Sequence, residues 1–335
     1  MTGARQDTVA ITLGDPNGVG PEIAVKAAKH FAGDRSTEIV LVGDEHVIRR
    51  YATALAPDLP LRRVGDAALD GPDIRVLPVE ALSPDDFAPG RECAAAGRAT
   101  VDYLAAATRL VADGGARAIV GCPHSETAVN AAGIPFSGYP GLLARLLGVA
   151  EDDVFLMLVG GGLRIVHVTL HERLQTALAR LSPTLIGNAV IAATRVLNDF
   201  GVSEPKVGLF GINPHAGEGG LFGDDDDRVT KPAAERLRAR GLRIEGPTGA
   251  DLLLSRRDID LFVAMYHDQG HIPIKLMAGR NSAALSIGAG VVFSSVGHGS
   301  AFDIAGRGVA DPAPLLRAID LVLGRPTPDF EKRAA

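Results

Sequence analysis

Short apolar runs alternate with helical stretches along almost the whole chain, and this alternation limits the fold more than any other feature. Strand-like runs at Thr8–Leu13, Glu38–Val42, Ala118–Val120, Lys206–Phe210 and Leu261–Met265 are separated by helical segments. These helices start near Pro21, at Arg91–Asp113, Pro183–Phe200 and Thr230–Gly241, with a last one at Pro314–Leu323. Strands separated by helices pair in parallel, because a parallel crossover needs about a helix length of chain. One exception is expected: Val154–Val159 and Leu163–Thr169 flank Gly160-Gly161-Gly162, which predicts a hairpin. The fold class is therefore α/β with a mainly parallel sheet, and 335 residues suffice for two domains. Asp70–Asp86, rich in Pro and Asp, reads as surface connection, and Asp224-Asp225-Asp226-Asp227 as a solvated loop.

A parallel sheet gathers its strand ends to one edge, where open α/β folds carry their sites. The run Leu261–Met265 leads directly into Tyr266-His267-Asp268-Gln269-Gly270-His271-Ile272-Pro273-Ile274-Lys275. Either His267 or His271 could bind a metal, Asp268 could orient an imidazole, and Lys275 could move a proton or hold an anion. The plain alternative is a polar turn. His171 follows the strand ending near Thr169, and His215 follows Val207–Phe210. With His267 they could form a facial metal site, and imidazole favours zinc and its neighbours over magnesium. Each alone also reads as an ordinary hydrogen-bonded histidine, and His167, inside its strand, reads as structural. Asp251, in Gly249-Ala250-Asp251, is either an orienting carboxylate or a helix cap.

Two glycine-rich segments could present backbone amides to a ligand. Gly14-Asp15-Pro16-Asn17-Gly18-Val19-Gly20-Pro21-Glu22 follows the first strand and opens a helix, but has neither Rossmann nor P-loop spacing. His298-Gly299-Ser300-Ala301-Phe302-Asp303-Ile304-Ala305-Gly306 could do the same, with Asp303 accepting from a ribose. The plain reading of each is a tight turn. A net charge of −6 and no basic cluster argue against nucleic acid. No run is long enough to span a membrane, and no signal peptide is visible at the N-terminus. Cys93 and Cys122 form no CxxC pair, so the expected setting is a reducing cytoplasm.

Gly14–Glu22, Asn213-Pro214-His215 and Tyr266–Gly270 together resemble the 4-hydroxythreonine-4-phosphate dehydrogenase family across essentially the whole chain. The resemblance implies a two-domain fold like that of isocitrate and isopropylmalate dehydrogenases, with an interdomain cleft. It implies a cofactor-side domain at 1–124 plus 275–335 and a metal and dimerisation domain at 125–274. NAD would lie along Gly14, Asp15, Gly18, His298, Gly299, Ser300 and Asp303. The family's metal histidines match His171, His215 and His267, the last supplied by the partner of a homodimer with a shared active site. The family's substrate lysine matches Lys275. Its substrate asparagine falls on Ala284, its phosphate arginine on Phe293 and its His-Thr pair on Tyr139-Pro140, so the groups that hold a phosphate are replaced.

One branch is similar at these positions too, the terephthalate cis-dihydrodiol dehydrogenases. Cys122-Pro123-His124, Ser137-Gly138-Tyr139-Pro140, Leu163–Glu172 and Gly270–Lys275 resemble it. The implied reaction is NAD-dependent, metal-assisted oxidation and decarboxylation of a cyclohexadiene diol dicarboxylate. Lys275, Asp268 and Asp251 are the expected catalytic residues, and Tyr139, His124, Lys275 and Phe293 the expected substrate contacts. His271 and Arg164 are further candidates for the carboxylates. The alternatives are a dehydrogenase for a phosphorylated hydroxy acid and, from another class, a zinc hydrolase.

Overall fold

The structure is a computed structural model describing residues 7–67, 71–136, 138–278 and 282–325; Asp70 and Ser137, quoted above, lie outside that set. The chain divides into two compact units, Met1–Gly138 with Val291–Leu323, and Tyr139–Gly290 with Gly324–Ala335.

The first unit holds β1 (Asp7–Thr12), β2 (Thr37–Gly43), β3 (Leu61–Arg63), β4 (Ile74–Pro78), β5 (Ala118–Gly121) and β12 (Val291–Ser295). Their order is β3-β4-β2-β1-β5-β12, and every pairing among them is parallel. Helices α1 (Gly20–Phe31), α2 (Glu45–Leu55), α3 (Ala94–Ala112), α4 (Glu126–Ala131) and α11 (Ala313–Val322) cover it. The core consists of small and branched side chains such as Val9, Ile11, Ile23, Leu41, Val42 and Ile119. Few aromatics are needed when helices sit this close to the sheet. One expectation fails here. Asp70–Asp86 is not all surface connection, because Ile74 and Val76 point inward and make β4.

The second unit holds β6 (Val154–Gly160), β7 (Leu163–His167), β8 (Lys206–Phe210), β9 (Arg243–Thr248), β10 (Leu261–Ala264) and β11 (Ala283–Gly288). The order is β11-β6-β7-β10-β8-β9. The glycine-linked hairpin β6–β7 and the β11–β6 pair are antiparallel, and β7, β10, β8 and β9 run parallel. Helices α5 (Tyr139–Leu147), α6 (Leu174–Arg180), α7 (Pro183–Asp199), α8 (Lys231–Ala239), α9 (Ala250–Leu254) and α10 (His267–Ala278) complete it. α7 starts cleanly: Pro183 takes the first turn and Ser182 Oγ accepts from the Leu185 amide. Phe210 and Phe262, with ring centroids 5.8 Å apart, pack with Ile165 and Ile274 in the core.

The unit boundaries fall after Gly138 and Gly290 rather than at 124 and 275. Two helices account for the difference: α4 packs on α3 in the first unit, and α10 packs on β6, β7 and β10 in the second. Among the described residues no helix is long and apolar enough to cross a membrane.

Candidate active site

Three neighbouring parallel strands of the second unit end in histidine-bearing segments. His171 follows β7, His267 follows β10 and His215 follows β8, and β10 lies between the other two. Adjacent strands lie about 4.8 Å apart, so this topology alone brings the three segments to one edge. The rings of His171 and His267 have centroids 5.3 Å apart. They line a recess of about 280 Å³ with Leu170, Glu172, Leu174, Ala177, Tyr266 and Asp268.

After Tyr266 the decapeptide is not a turn but helix, His267–Lys275 lying in α10 with Asp268 in its first turn and Lys275 in its last. Asp268 Oδ1 lies 2.7 Å from His267 Nδ1, so a proton there is shared with the carboxylate and Nε2 is left as the lone-pair nitrogen. Lys275 Nζ donates to Ser282 Oγ at 2.7 Å. Gln269, given no role from sequence, braces the edge. Its Oε1 accepts from the Met265 amide and its Nε2 donates to the Gly211 carbonyl, each at 2.7 Å. It thereby ties the His267 segment to the one carrying His215.

His215 stands exposed on a left-handed turn. His215, Ala216, Gly217, Glu218 and Gly219 all have positive φ, a conformation that disfavours the three non-glycine residues among them. Glu218 Oε2 lies 2.8 Å from His215 Nδ1, the same carboxylate–imidazole pairing as at His267. Asp226 holds the base of the turn, and it corrects the reading of Asp224–Asp227 as a solvated loop. It is fully buried and accepts from the amides of Ile212 at 2.8 Å and Asn213 at 2.9 Å, and from Thr230 Oγ1 at 2.7 Å. Nothing in a run of four aspartates marks in the sequence which one turns inward.

Among the described residues no group of three His, Cys, Asp or Glu side chains gathers closely enough in one chain to hold a metal. The donor chemistry nevertheless suits one. Two of the three histidines have Nδ1 against a carboxylate, which is how ligating imidazoles are usually oriented. Asp251 lies in the first turn of α9, with Gly249 in the cap position, so it is not the helix cap.

Behind His267, His271 stacks on it with centroids 3.6 Å apart, and His271 in turn meets the buried His167 at 4.5 Å. Burial and the neighbouring imidazoles push His167 down to about 3 and His271 to about 4, so both are neutral near pH 7. His124 follows β5 in the first unit with its ring edge on Phe136 at 4.9 Å, and burial lowers its pKa. Tyr139 opens α5 and Ala284 lies in β11. Phe293 is 1 % exposed in β12, which corrects the expectation that it contacts substrate. Its ring belongs to the core and offers no surface to a ligand.

The two glycine-rich segments meet within the first unit. The Val19 amide donates to the Ser300 carbonyl at 2.9 Å, and a Cβ at Gly18 would lie 2.8 Å from Ser300, so only glycine allows the approach. Gly14, with φ +66°, starts the turn. Asp15 is fully buried. Its Oδ1 accepts from the Asn17 amide, its Oδ2 has no partner, and burial raises its pKa to about 6. Ser300 Oγ is likewise buried without a partner. Such polar atoms suit a polar ligand seated between the segments. His298, Gly299 and Asp303 are exposed beside them. Glu22, missed from sequence, anchors the second segment by accepting from the amides of Gly308 at 3.0 Å and Ala310 at 2.7 Å.

The family model "Pyridoxal phosphate biosynthetic protein PdxA" matches residues 35–322. A 1,2-dihydroxy-3,5-cyclohexadiene-1,4-dicarboxylate dehydrogenase from Comamonas sp is 49 % identical over 323 residues, 95 % of this chain and 98 % of that protein. A crystal structure of a terephthalate 1,2-cis-dihydrodiol dehydrogenase from Burkholderia xenovorans LB400 superposes with a TM-score of 0.83. Its sequence is 56 % identical, covering 96 % of this chain and 98 % of that one. A D-threonate 4-phosphate dehydrogenase from Cupriavidus necator is 37 % identical over 319 residues, 93 % of this chain and 95 % of that protein.

Proposed function

The chain belongs to the PdxA family of dehydrogenases, and from that membership we propose that it converts 1,2-dihydroxycyclohexa-3,5-diene-1,4-dicarboxylate to protocatechuate, CO2 and NADH. The observation that carries the proposal is the 49 % and 56 % identity, over nearly the whole chain, to proteins named for that diol. The replacement of phosphate-holding groups at Ala284, Phe293 and Tyr139-Pro140 points the same way.

The dianionic substrate yields hydride, CO2 and the protocatechuate monoanion, so atoms and charge balance without an added reagent. One proton leaves the oxidised hydroxyl, and one returns to the oxygen of the enolate left when CO2 departs. Lys275, hydrogen-bonded to Ser282, is the proposed carrier for both transfers. His171, His215 and His267 would hold a divalent ion, zinc by ligand type, with Asp268 and Glu218 orienting two of the rings. When bound, that ion would supply Lewis acidity toward the substrate oxygens, and NAD would supply the hydride acceptor. NAD would lie along Gly14, Asp15, Gly18, His298, Gly299, Ser300 and Asp303, where Asp15 Oδ2 and Ser300 Oγ lack protein partners. His124 and Tyr139 are proposed substrate contacts, and Asp251 a more distant orienting group.

A homodimer completes the site in this reading, and a cytoplasmic setting suits it. Exposed Leu174, Leu178, Leu221, Phe222, Ile272, Leu276 and Met277 all belong to the histidine-bearing unit and give a second copy apolar surface to cover.

The test is NADH formation with terephthalate cis-dihydrodiol set against 4-phosphohydroxythreonine. A kcat/KM ratio favouring the diol supports the proposal. One favouring the phosphorylated compound transfers the chain to the activity named for 4-hydroxythreonine-4-phosphate dehydrogenases, such as a 36 % identical relative.

A further inference from the structure

Behind the exposed histidines lies a pair that no step above uses. His167 ends β7 and is buried, while His271 sits on α10 one turn beyond His267. His271 Nδ1 is 3.0 Å from His167 Nε2, and His167 Nδ1 is 3.3 Å from the Leu156 carbonyl. The backbone is shaped for this contact. A Cβ at residue 270 would collide with His167 Nε2, so Gly270 is what lets α10 settle against the imidazole.

A neutral imidazole has one N–H and one lone pair, and its partners decide which nitrogen carries the proton. A backbone carbonyl only accepts, so Leu156 fixes the His167 proton on Nδ1 and leaves Nε2 as an acceptor. That acceptor is satisfied by an N–H on His271 Nδ1. The His267 carbonyl, 3.2 Å from the same Nδ1, requires the proton at the same atom. Two independent acceptors therefore agree, and His271 Nε2 is left as a lone pair with no partner among the described residues. The ring is held beside the proposed metal ligand by its stack on His267, where the planes differ by 13°.

We infer that His167 is a positioning residue that locks His271 with Nε2 as a hydrogen-bond acceptor, and that Nε2 receives a hydroxyl of the substrate rather than a carboxylate. A lone pair accepts from O–H and is repelled by a carboxylate oxygen. The substrate half rests on the diol proposed above, which offers both kinds of group; the tautomer half does not depend on it.

Nitrogen-15 shifts of the His271 ring in the full-length protein without substrate or NAD, assigned by comparison with His271→Asn, read the tautomer directly. The expected result is a protonated Nδ1 and a bare Nε2, whereas a protonated Nε2 overturns the inference whatever the substrate. His167→Phe should shift part of His271 to the other tautomer and lower kcat about tenfold or more with little change in KM, and His167→Gln, whose amide oxygen can accept, should recover much of it. An unchanged kcat in folded His167→Phe overturns the positioning role. Terephthalate has both carboxylates and no hydroxyl, so it separates the two contacts as a competitive inhibitor. His271→Phe should cut diol turnover at least about tenfold and leave terephthalate inhibition within about twofold. Parallel weakening of both makes His271 a carboxylate contact and sinks the substrate half. No diol oxidation by the unmodified enzyme sinks that half together with the proposed function, while the tautomer result stands.

Discussion

At the carboxyl ends of β1, β5 and β12 Asp15, Asn17 and Ser300 are buried, with His298 and Asp303 exposed beside them; at the carboxyl ends of β7, β10 and β8 His171 and His215 stand in solvent and His267 is half-buried. Asp15 and Asn17 are fully buried and Ser300 nearly so, and the turns around them are fixed by backbone contacts such as Val19 to Ser300. His171 and His215 are exposed, and Leu276 on α10 is 80 % exposed. Both edges occupy the position where parallel sheets carry ligands. The first buries its central polar groups within one chain. The second is built from side chains that reach outward from braced segments, on a unit whose exposed apolar side chains the proposed second copy would cover.

The sharpest way to break this contrast is to remove the outward side chains. His171→Ala, His215→Ala or His267→Ala should each lower turnover by roughly a thousandfold or more, since polarisation of the reacting oxygen is worth several kcal/mol. Bound metal should fall in parallel, while the melting temperature of the metal-free protein stays near that of the parent because these side chains support no core. Mixed dimers of His171→Ala and His267→Ala protomers should regain activity if the ligand set crosses the dimer. Inactive verified heterodimers would assign all three ligands to one chain. Full activity after complete metal removal would remove the metal from the reading altogether.

Next in size is the assembly itself. Leu276→Asp with Ile272→Asp places two charges in the exposed apolar surface of α10 and should yield a monomer by sedimentation, with activity reduced at least about tenfold. An active monomer would show that the open edge needs no partner. Intermediate in effect is Asp226→Ala, which leaves the amides of Ile212 and Asn213 buried without an acceptor. Hydrogen bonds to a charged group are each worth about 1.5–3 kcal/mol, so chemical denaturation should register a loss of roughly 3–5 kcal/mol. Asp224→Ala, on an exposed residue of the same run, should cost under about 1 kcal/mol. Equal losses would mean the His215 turn is not anchored through Asp226.

Much of this was legible because periodicity encodes strands and the strand ends carry the histidines. Lys206–Phe210 matches its strand residue for residue, and the hairpin across Gly160–Gly162 forms as expected. α10 was hidden by Gly270 and Pro273, both helix-breaking by type. In three dimensions Gly270 makes room for His167, and the buried Ile274 pins the helix to the core. β4 was hidden by the Pro and Asp around it, since only Ile74 and Val76 signal burial. Chemical type named the outward histidines but could not name what supports them. Asp226, Gln269 and Glu22 act through backbone groups that are close only in the folded chain. Phe293 shows the converse error, a residue that the family resemblance puts at a binding position but whose ring lies in the core.

The smallest expected effect tests whether the first edge is sealed. Burial raises the Asp15 carboxyl from its ordinary 3.8 to about 6, against the lowering effect of the Asn17 amide, and nearby Glu92 adds to the rise. The folded protein thus holds this proton more tightly than the unfolded chain. The associated stability is fully present below about pH 3.8, declines as pH rises through about 6, and is constant above. A shift of roughly two units corresponds to at most about 3 kcal/mol. Asp15→Asn keeps an oxygen to accept from Asn17 and cannot ionise. Its stability relative to the parent, measured by urea denaturation, should therefore rise steadily between about pH 4 and pH 6 and level off. Parallel profiles for the two proteins would mean that Asp15 ionises as a solvated carboxyl does, which requires water to reach it. The first edge would then be as open as the second, and the contrast between a buried edge and a solvent-facing one would fail.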